Sequence, residues 1–165
     1  MAIKDGWKGR VFEDFAVGDV YVRPLGRTVL TVDNSWFTLL TQNMNPIHFD
    51  HAYAAQTEFG RPLVDSTFTL ALVTGQSTID LSFNVMANLG WDEVRLPSPV
   101  FEGDTIYSQS EVLSKRESKS RPNVGILTVK TSGYNQHGTV VITFNRTLMV
   151  YKRGMAPQIP RMTPE

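Results

Sequence analysis

Over residues 139–151 the chain runs in a period of two: Val140, Ile142, Phe144, Leu148 and Val150 interleave with Val141, Thr143, Asn145, Thr147 and Met149. That period puts successive side chains on opposite faces and predicts a half-buried strand, whose apolar face Arg146 interrupts. The turn-forming run Asn135-Gln136-His137-Gly138 precedes it, and residues 124–134 are rich in strand-forming types, so the two segments predict an antiparallel hairpin. Residues 105–113 predict a third long strand, followed by a polar connection at 114–123.

The first half of the chain has a different period. Phe68, Leu72, Gly75 or Gln76, Ile79 and Phe83 recur at steps of three and four, and Leu70, Ala71 and Val73 extend the apolar surface to most sides. Such a helix belongs in the centre of a fold. Ser66 or Thr67 is placed to cap its start, because a hydroxyl there accepts from an otherwise unpaired backbone N–H. Shorter helices are predicted over 34–41 and 51–58, with Asn45-Pro46 as the break between them. One buried helix followed by long antiparallel strands predicts an α+β fold with the sheet wrapped around the helix.

At 165 residues the chain has the size of a single domain, with a core over about 11–152 and an extended tail at 154–165 that carries Pro157, Pro160 and Pro164. Acidic and basic residues balance at 16 each, so net charge points to neither a nucleic-acid nor a membrane partner. The absence of cysteine excludes disulfides, thiolate metal sites and a cysteine nucleophile, and fits a cytoplasmic location. Residues 1–10 lack the apolar stretch of a secretory signal, and no run approaches the roughly 18 apolar residues of a membrane span.

The densest group of reactive side chains is Asn43-Met44-Asn45-Pro46-Ile47-His48-Phe49-Asp50, between the two short helices. Histidine moves protons near neutral pH because its unperturbed pKa is about 6.5, whereas the asparagines beside it can only orient. A surface or capping role is the alternative for His48. His51 lies three residues on, a spacing without further ligands that is a weak metal signal, so no metal is expected. Phosphate-loop glycines, a nucleophile elbow and a zinc helix are absent.

The pattern Asn43-x-Asn45-Pro46-x-His48 resembles the Asp-x-Asn-Pro-x-His signature of the MaoC-like, (R)-specific enoyl-CoA hydratases. The stretch Pro99-Val100-Phe101-Glu102-Gly103-Asp104-Thr105 is similar to that family's turn into a strand. The resemblance implies a hot-dog fold and an acyl-CoA hydratase or dehydratase, with no cofactor beyond the coenzyme A of the thioester. It also implies a homodimer or higher homo-oligomer. In that family an acid and a histidine hold a water that adds to C3 of an enoyl thioester, and a backbone N–H receives the charge on the thioester oxygen. The spacing places that donor on Ser66. A narrower resemblance, over residues 57–72, is to the branch that contains mesaconyl-CoA hydratase (β-methylmalyl-CoA dehydratase), which also carries asparagine at the position of Asn43.

Asn43 stands where the wider family has aspartate, and an amide cannot take a proton from water. Three explanations remain open: His48 acts alone, a nearby carboxylate such as Asp65 or Asp50 substitutes, or the chain is catalytically silent. Asp65 is the better substitute by position, and a negative charge favouring a helix N-terminus is its other reading. Lys115, Arg116, Lys119 and Arg121 form a basic connection that can pair with coenzyme A phosphates or stand as a solvated hairpin tip. Arg61 can pair with a substrate carboxylate or anchor the loop before Pro62. Arg27, Asp33 and Trp36 can shape an acyl pocket. The rival functional reading is a non-catalytic acyl-CoA-binding subunit of a heteromeric dehydratase, with a thioesterase third.

Overall fold

The computed structural model describes Lys4 and residues 6–160. Five strands, β1 (Val20–Thr28), β2 (Val85–Arg95), β3 (Thr105–Glu117), β4 (Val124–Tyr134) and β5 (Val140–Tyr151), form one antiparallel sheet in the order β1-β3-β4-β5-β2. Three helices, α1 (Thr31–Thr41), α2 (His51–Ala54) and α3 (Ser66–Ser77), lie between β1 and β2 in the chain. The sheet curves around α3, which packs on β3 and β4, and this is the expected hot-dog arrangement. Among the described residues no helix is long and apolar enough to cross a membrane.

The period-two segments become the sheet's centre. On β5 the side chains of Ile142, Phe144, Arg146, Leu148 and Val150 are buried in alternation, and β4 contributes Leu127 and Val129. Two apolar clusters result, one with Phe12, Phe15, Leu81 and Leu148, the other with Val29, Val73, Ile106 and Phe144. Between Phe144 and Leu148 lies Arg146, only 2 % exposed, bonded to the hydroxyls of Ser77 (3.0 Å) and Ser82 (3.4 Å). Burial holds its pKa down to about 10, and its Nε has no partner among the described residues. α3 approaches the sheet where β4 has Gly133: a Cβ there would come within 2.6 Å of a Val73 methyl. The missing side chain is what brings the helix close.

Several boundaries differ from the sequence expectation. The central helix ends at Ser77 and continues as a π-helical segment, Thr78–Ser82, rather than as one α-helix to Phe83. Its cap is the Asp65 carboxylate, not Ser66 or Thr67, because Asp65 accepts from the amides of Thr67 and Phe68. α2 closes after one turn at Ala54 instead of reaching Glu58, and the chain then turns through Gly60 at φ 65°. β3 runs on to Glu117, so only residues 118–123 form the connection. The tail has turn and irregular backbone through Pro160; residues 161–165, with Pro164, lie outside the described residues, as do 1–3 and 5.

The two edge strands have no counterpart in the periodicity. β1 contains Pro24 and Gly26, and its pairing with β3 shifts register between Arg23 and Arg27. At an edge a proline interrupts no interior ladder, so the strand survives a sequence that reads as a turn. β2 carries Gly90, places Glu93 at φ 51°, and shifts register against β5 three times.

Candidate active site

The site begins where α1 stops. Gln42 adopts the left-handed conformation (φ 57°, ψ 29°), its amide turns back to the Leu39 carbonyl and that of Asn43 to the Thr38 carbonyl at 2.9 Å. This is the paired closure that glycine usually makes at a helix end. It delivers Asn43, half-buried, at the head of the loop. The Asn43 Oδ1 accepts the Asn45 amide at 3.1 Å, and the Asn45 Oδ1 accepts the Ile47 amide at 3.2 Å. Pro46, which has no amide to satisfy, then starts the 3-10 turn Pro46–His48. The two asparagines act on the loop's backbone and so set where His48 sits.

His48 is 9 % exposed, and its Nδ1 lies 2.7 Å from the Leu63 carbonyl. A carbonyl oxygen only accepts, so Nδ1 carries the proton and, in the neutral ring, Nε2 holds the lone pair. Leu63 is itself held: its amide donates to the Ile47 carbonyl at 3.0 Å, and it forms an isolated bridge with Phe101 at the turn into β3.

Asp65 stands at the N-terminus of α3. Its Oδ1 receives the amides of Thr67 (2.7 Å) and Phe68 (3.1 Å) and the Thr67 hydroxyl, and its Oδ2 receives the Asn43 side-chain amide at 2.6 Å. Burial would push this carboxyl up, but those four hydrogen bonds outweigh it and hold the pKa below the ordinary value. Among the described residues it makes no hydrogen bond to His48. Asp50, the other carboxylate near the motif, caps α2 through the Tyr53 amide at 3.0 Å. The next residue after Asp65, Ser66, has an amide without a protein acceptor among the described residues, as first-turn amides do when no cap reaches them.

Two cavities open on this group. One of about 580 Å³ is walled by Thr38, Leu39, Met44 and Phe49 and reaches Asn43. The other, about 270 Å³, runs from Ser66 between Phe59, Leu63 and Val100. Its rim residues Ser98 and Pro99 also border the recess that holds Arg61. The Arg61 guanidinium lies 3.8 Å above the Phe101 ring, and no carboxylate pairs with it among the described residues.

The basic connection lies elsewhere. β3 starts beside the site at Thr105 and runs 13 residues to Glu117, roughly 40 Å of strand, so the cations at its far end do not converge on His48 of the same chain. Lys115 is engaged in the fold: its ammonium donates to the Phe15 carbonyl at 2.7 Å and covers the Phe12 ring. Arg116 bonds the Glu117 carbonyl, Arg121 leans on Met86, and Lys119 is exposed at the tip. Arg27 and Asp33 pair with each other, and Asp33 also accepts the Leu30 amide at the start of α1. Trp36 is 64 % exposed on the outer side of α1. Among the described residues no three histidine, aspartate or glutamate side chains gather.

One residue that the sequence did not single out proves central. Asn34, fully buried on α1, donates to the carbonyls of His48 (2.6 Å) and Leu63 (3.1 Å) and accepts the Asp65 amide at 3.0 Å. Its partners lie 14 to 31 positions away, so no local spacing marks it.

Comparison with known proteins places the fold and the family. Residues 3–158 match the family model described as mesaconyl-CoA hydratase. The mesaconyl-CoA hydratase of Cereibacter sphaeroides is 34 % identical over 161 residues, 94 % of this chain and 45 % of that protein. The chain thus spans about half the length of the curated relatives it matches. A putative MaoC domain dehydratase from Chloroflexus aurantiacus superposes with a TM-score of 0.86 at 30 % identity, over 99 % of this chain and 46 % of that one. A MaoC-like dehydratase from Rhodospirillum rubrum superposes with a TM-score of 0.77 at 28 % identity, over 88 % of this chain and 99 % of that one.

The depressed Asp65 pKa has a stability consequence with a definite sign. Above an unfolded-state pKa of about 3.9 the carboxylate is ionised in both states and its contribution is complete; it is lost as pH falls from there through the lower folded-state value. Thermal unfolding midpoints recorded between pH 6 and pH 3 are therefore expected to fall less steeply for Asp65→Asn than for the parent chain. Equal slopes would contradict the assignment.

Proposed function

Because the chain belongs to the mesaconyl-CoA hydratase family, we propose that it adds or removes water across the C2–C3 bond of a short or branched 2-enoyl-CoA or 3-hydroxyacyl-CoA thioester. The observation that carries this reading is the His48 ring: Nδ1 is committed to the Leu63 carbonyl and Nε2 is left as a base. In the hydration direction Nε2 takes a proton from water as the hydroxide oxygen bonds to C3. The C2=C3 electron pair moves toward the thioester, and C2 then receives the proton from the imidazolium. The Ser66 amide, at the positive end of α3, accepts the charge that develops on the thioester oxygen.

Asn43 and Asp65 serve this chemistry without carrying a proton. The Asp65 carboxylate, depressed in pKa and occupied on both oxygens, is a poor base and a good anchor. It orients the Asn43 amide, whose second N–H, without a partner among the described residues, would hold the attacking water. Asn43 also favours the rival reading, a non-catalytic acyl-CoA-binding subunit, which turnover of any thioester excludes.

We further infer that the unit works as a pair with a second copy. The mesaconyl-CoA hydratase relatives are about twice its length, and the outer face of α1 exposes Val32, Trp36, Leu39 and Leu40 beside the cavity that reaches Asn43. A second copy on that face would roof the cavity, and light scattering at twice the 18.5 kDa chain mass is the check. Arg61, held on Phe101 and paired with no carboxylate among the described residues, suits a carboxylate on the acyl group, such as the one mesaconyl-CoA carries.

Loss of enoyl absorbance with crotonyl-CoA and mesaconyl-CoA tests the function directly. His48→Ala is expected to lower turnover by about two to four orders of magnitude with the fold intact. A folded variant with near-parent rates would remove His48 from the mechanism. Arg61→Met is expected to raise KM for mesaconyl-CoA by about ten- to a hundredfold, the worth of one charged hydrogen bond, and to leave crotonyl-CoA nearly unchanged. Equal effects on both thioesters would return Arg61 to a loop anchor.

A further inference from the structure

We propose that Asn34 is the positioning residue of the site, the group that fixes the tautomer and orientation of the His48 ring through the Leu63 carbonyl. The hydrogen-bond pattern leaves the carboxamide one orientation. On one side it faces the carbonyls of His48 and Leu63, which only accept; on the other it faces the Asp65 amide, which only donates. Both Nδ2 hydrogens and the Oδ1 are therefore used, and the side chain is fully buried.

The three groups it holds are the three that decide the site's geometry. The His48 carbonyl fixes the backbone from which the ring hangs. The Leu63 carbonyl receives both Asn34 Nδ2 at 3.1 Å and His48 Nδ1 at 2.7 Å, so Asn34 aims the acceptor that selects the ring's tautomer. The Asp65 amide sits next to the Ser66 amide and beneath the carboxylate that holds Asn43. One side chain on α1 thus ties the proton carrier to the start of α3. An apolar residue of similar size would fill the space but leave the Leu63 carbonyl, whose residue stays tethered to Ile47 and Phe101, with only the His48 ring to fix its direction, and the preference for a protonated Nδ1 would weaken.

The inference rests on the reading of His48 as the proton carrier, and its test has one readout that does not need turnover. In the 165-residue chain, ring ¹⁵N spectra at a pH where the histidines are neutral are recorded for the parent and Asn34→Leu. The His48 signal among the three histidines is assigned by its loss in His48→Ala. The parent is expected to show a protonated Nδ1 and an unprotonated Nε2, and Asn34→Leu an average of the two tautomers. With crotonyl-CoA, kcat is expected to fall at least tenfold in Asn34→Leu while KM changes less than threefold. In a His48→Ala background the same substitution should cause no further loss, because it acts through that ring. If Asn34→Leu does not fold, Asn34→Ser, which keeps one donor, is read in the same way. An unchanged ring spectrum with unchanged kcat would overturn the proposal, as would an equal loss in both backgrounds, which marks a purely structural role. A parent chain without turnover would end the functional reading, while the ring spectra would still decide what Asn34 holds.

Discussion

The hydrogen bond from the His48 ring to the Leu63 carbonyl is the constraint on which the site depends. It decides which ring nitrogen is basic, and it ties the loop after α1 to the segment leading into α3. Leu63 in turn bridges Phe101, and the Val64 amide donates to the Val100 carbonyl at 2.9 Å, so the loop is referenced to the turn that starts β3. The curved sheet and the central helix therefore supply a rigid frame on which a loop histidine keeps its place.

Polar groups inside this fold divide into two kinds. Asn34 uses both amide hydrogens and its oxygen, and its removal would leave the His48 carbonyl and the Asp65 amide short of a partner at a cost of about 1–3 kcal/mol each, while the Leu63 carbonyl would keep the His48 ring alone. Arg146 is the opposite case: it splits the apolar core between Phe144 and Leu148, where among the described residues two serine hydroxyls receive it and its Nε has no partner. A buried charge of this kind is weak evidence for stability. It does tie the π-helical segment at the end of α3 to β5, since Ser77 immediately precedes that segment and Ser82 is its last residue.

Legibility in the sequence followed burial. β5 is covered on one face by the core along most of its length, so its period of two is regular, and the turn before it made its pairing with β4 readable. The edge strands β1 and β2 tolerate Pro24, Gly90 and a left-handed Glu93, and those residues erased the period. At the site, the residues from Asn43 to His48 were legible because their geometry is local, set by caps and turns within a few positions. Asn34 was not, since its meaning depends on contacts up to 31 positions away. The basic residues at 115–121 show the converse: they cluster in sequence, but a long strand carries them away from His48 of the same chain, and the half-buried Lys115 donates to the Phe15 carbonyl and covers the Phe12 ring.

The most direct measurement of the central claim is a crystal structure with a bound 3-hydroxyacyl-CoA. The 3-hydroxyl is expected within about 2.6–3.2 Å of His48 Nε2, and the thioester oxygen within about 2.7–3.1 Å of the Ser66 amide. A thioester seated away from both groups, with the His48 ring facing no substrate atom, would contradict the assignment of His48 as the proton carrier.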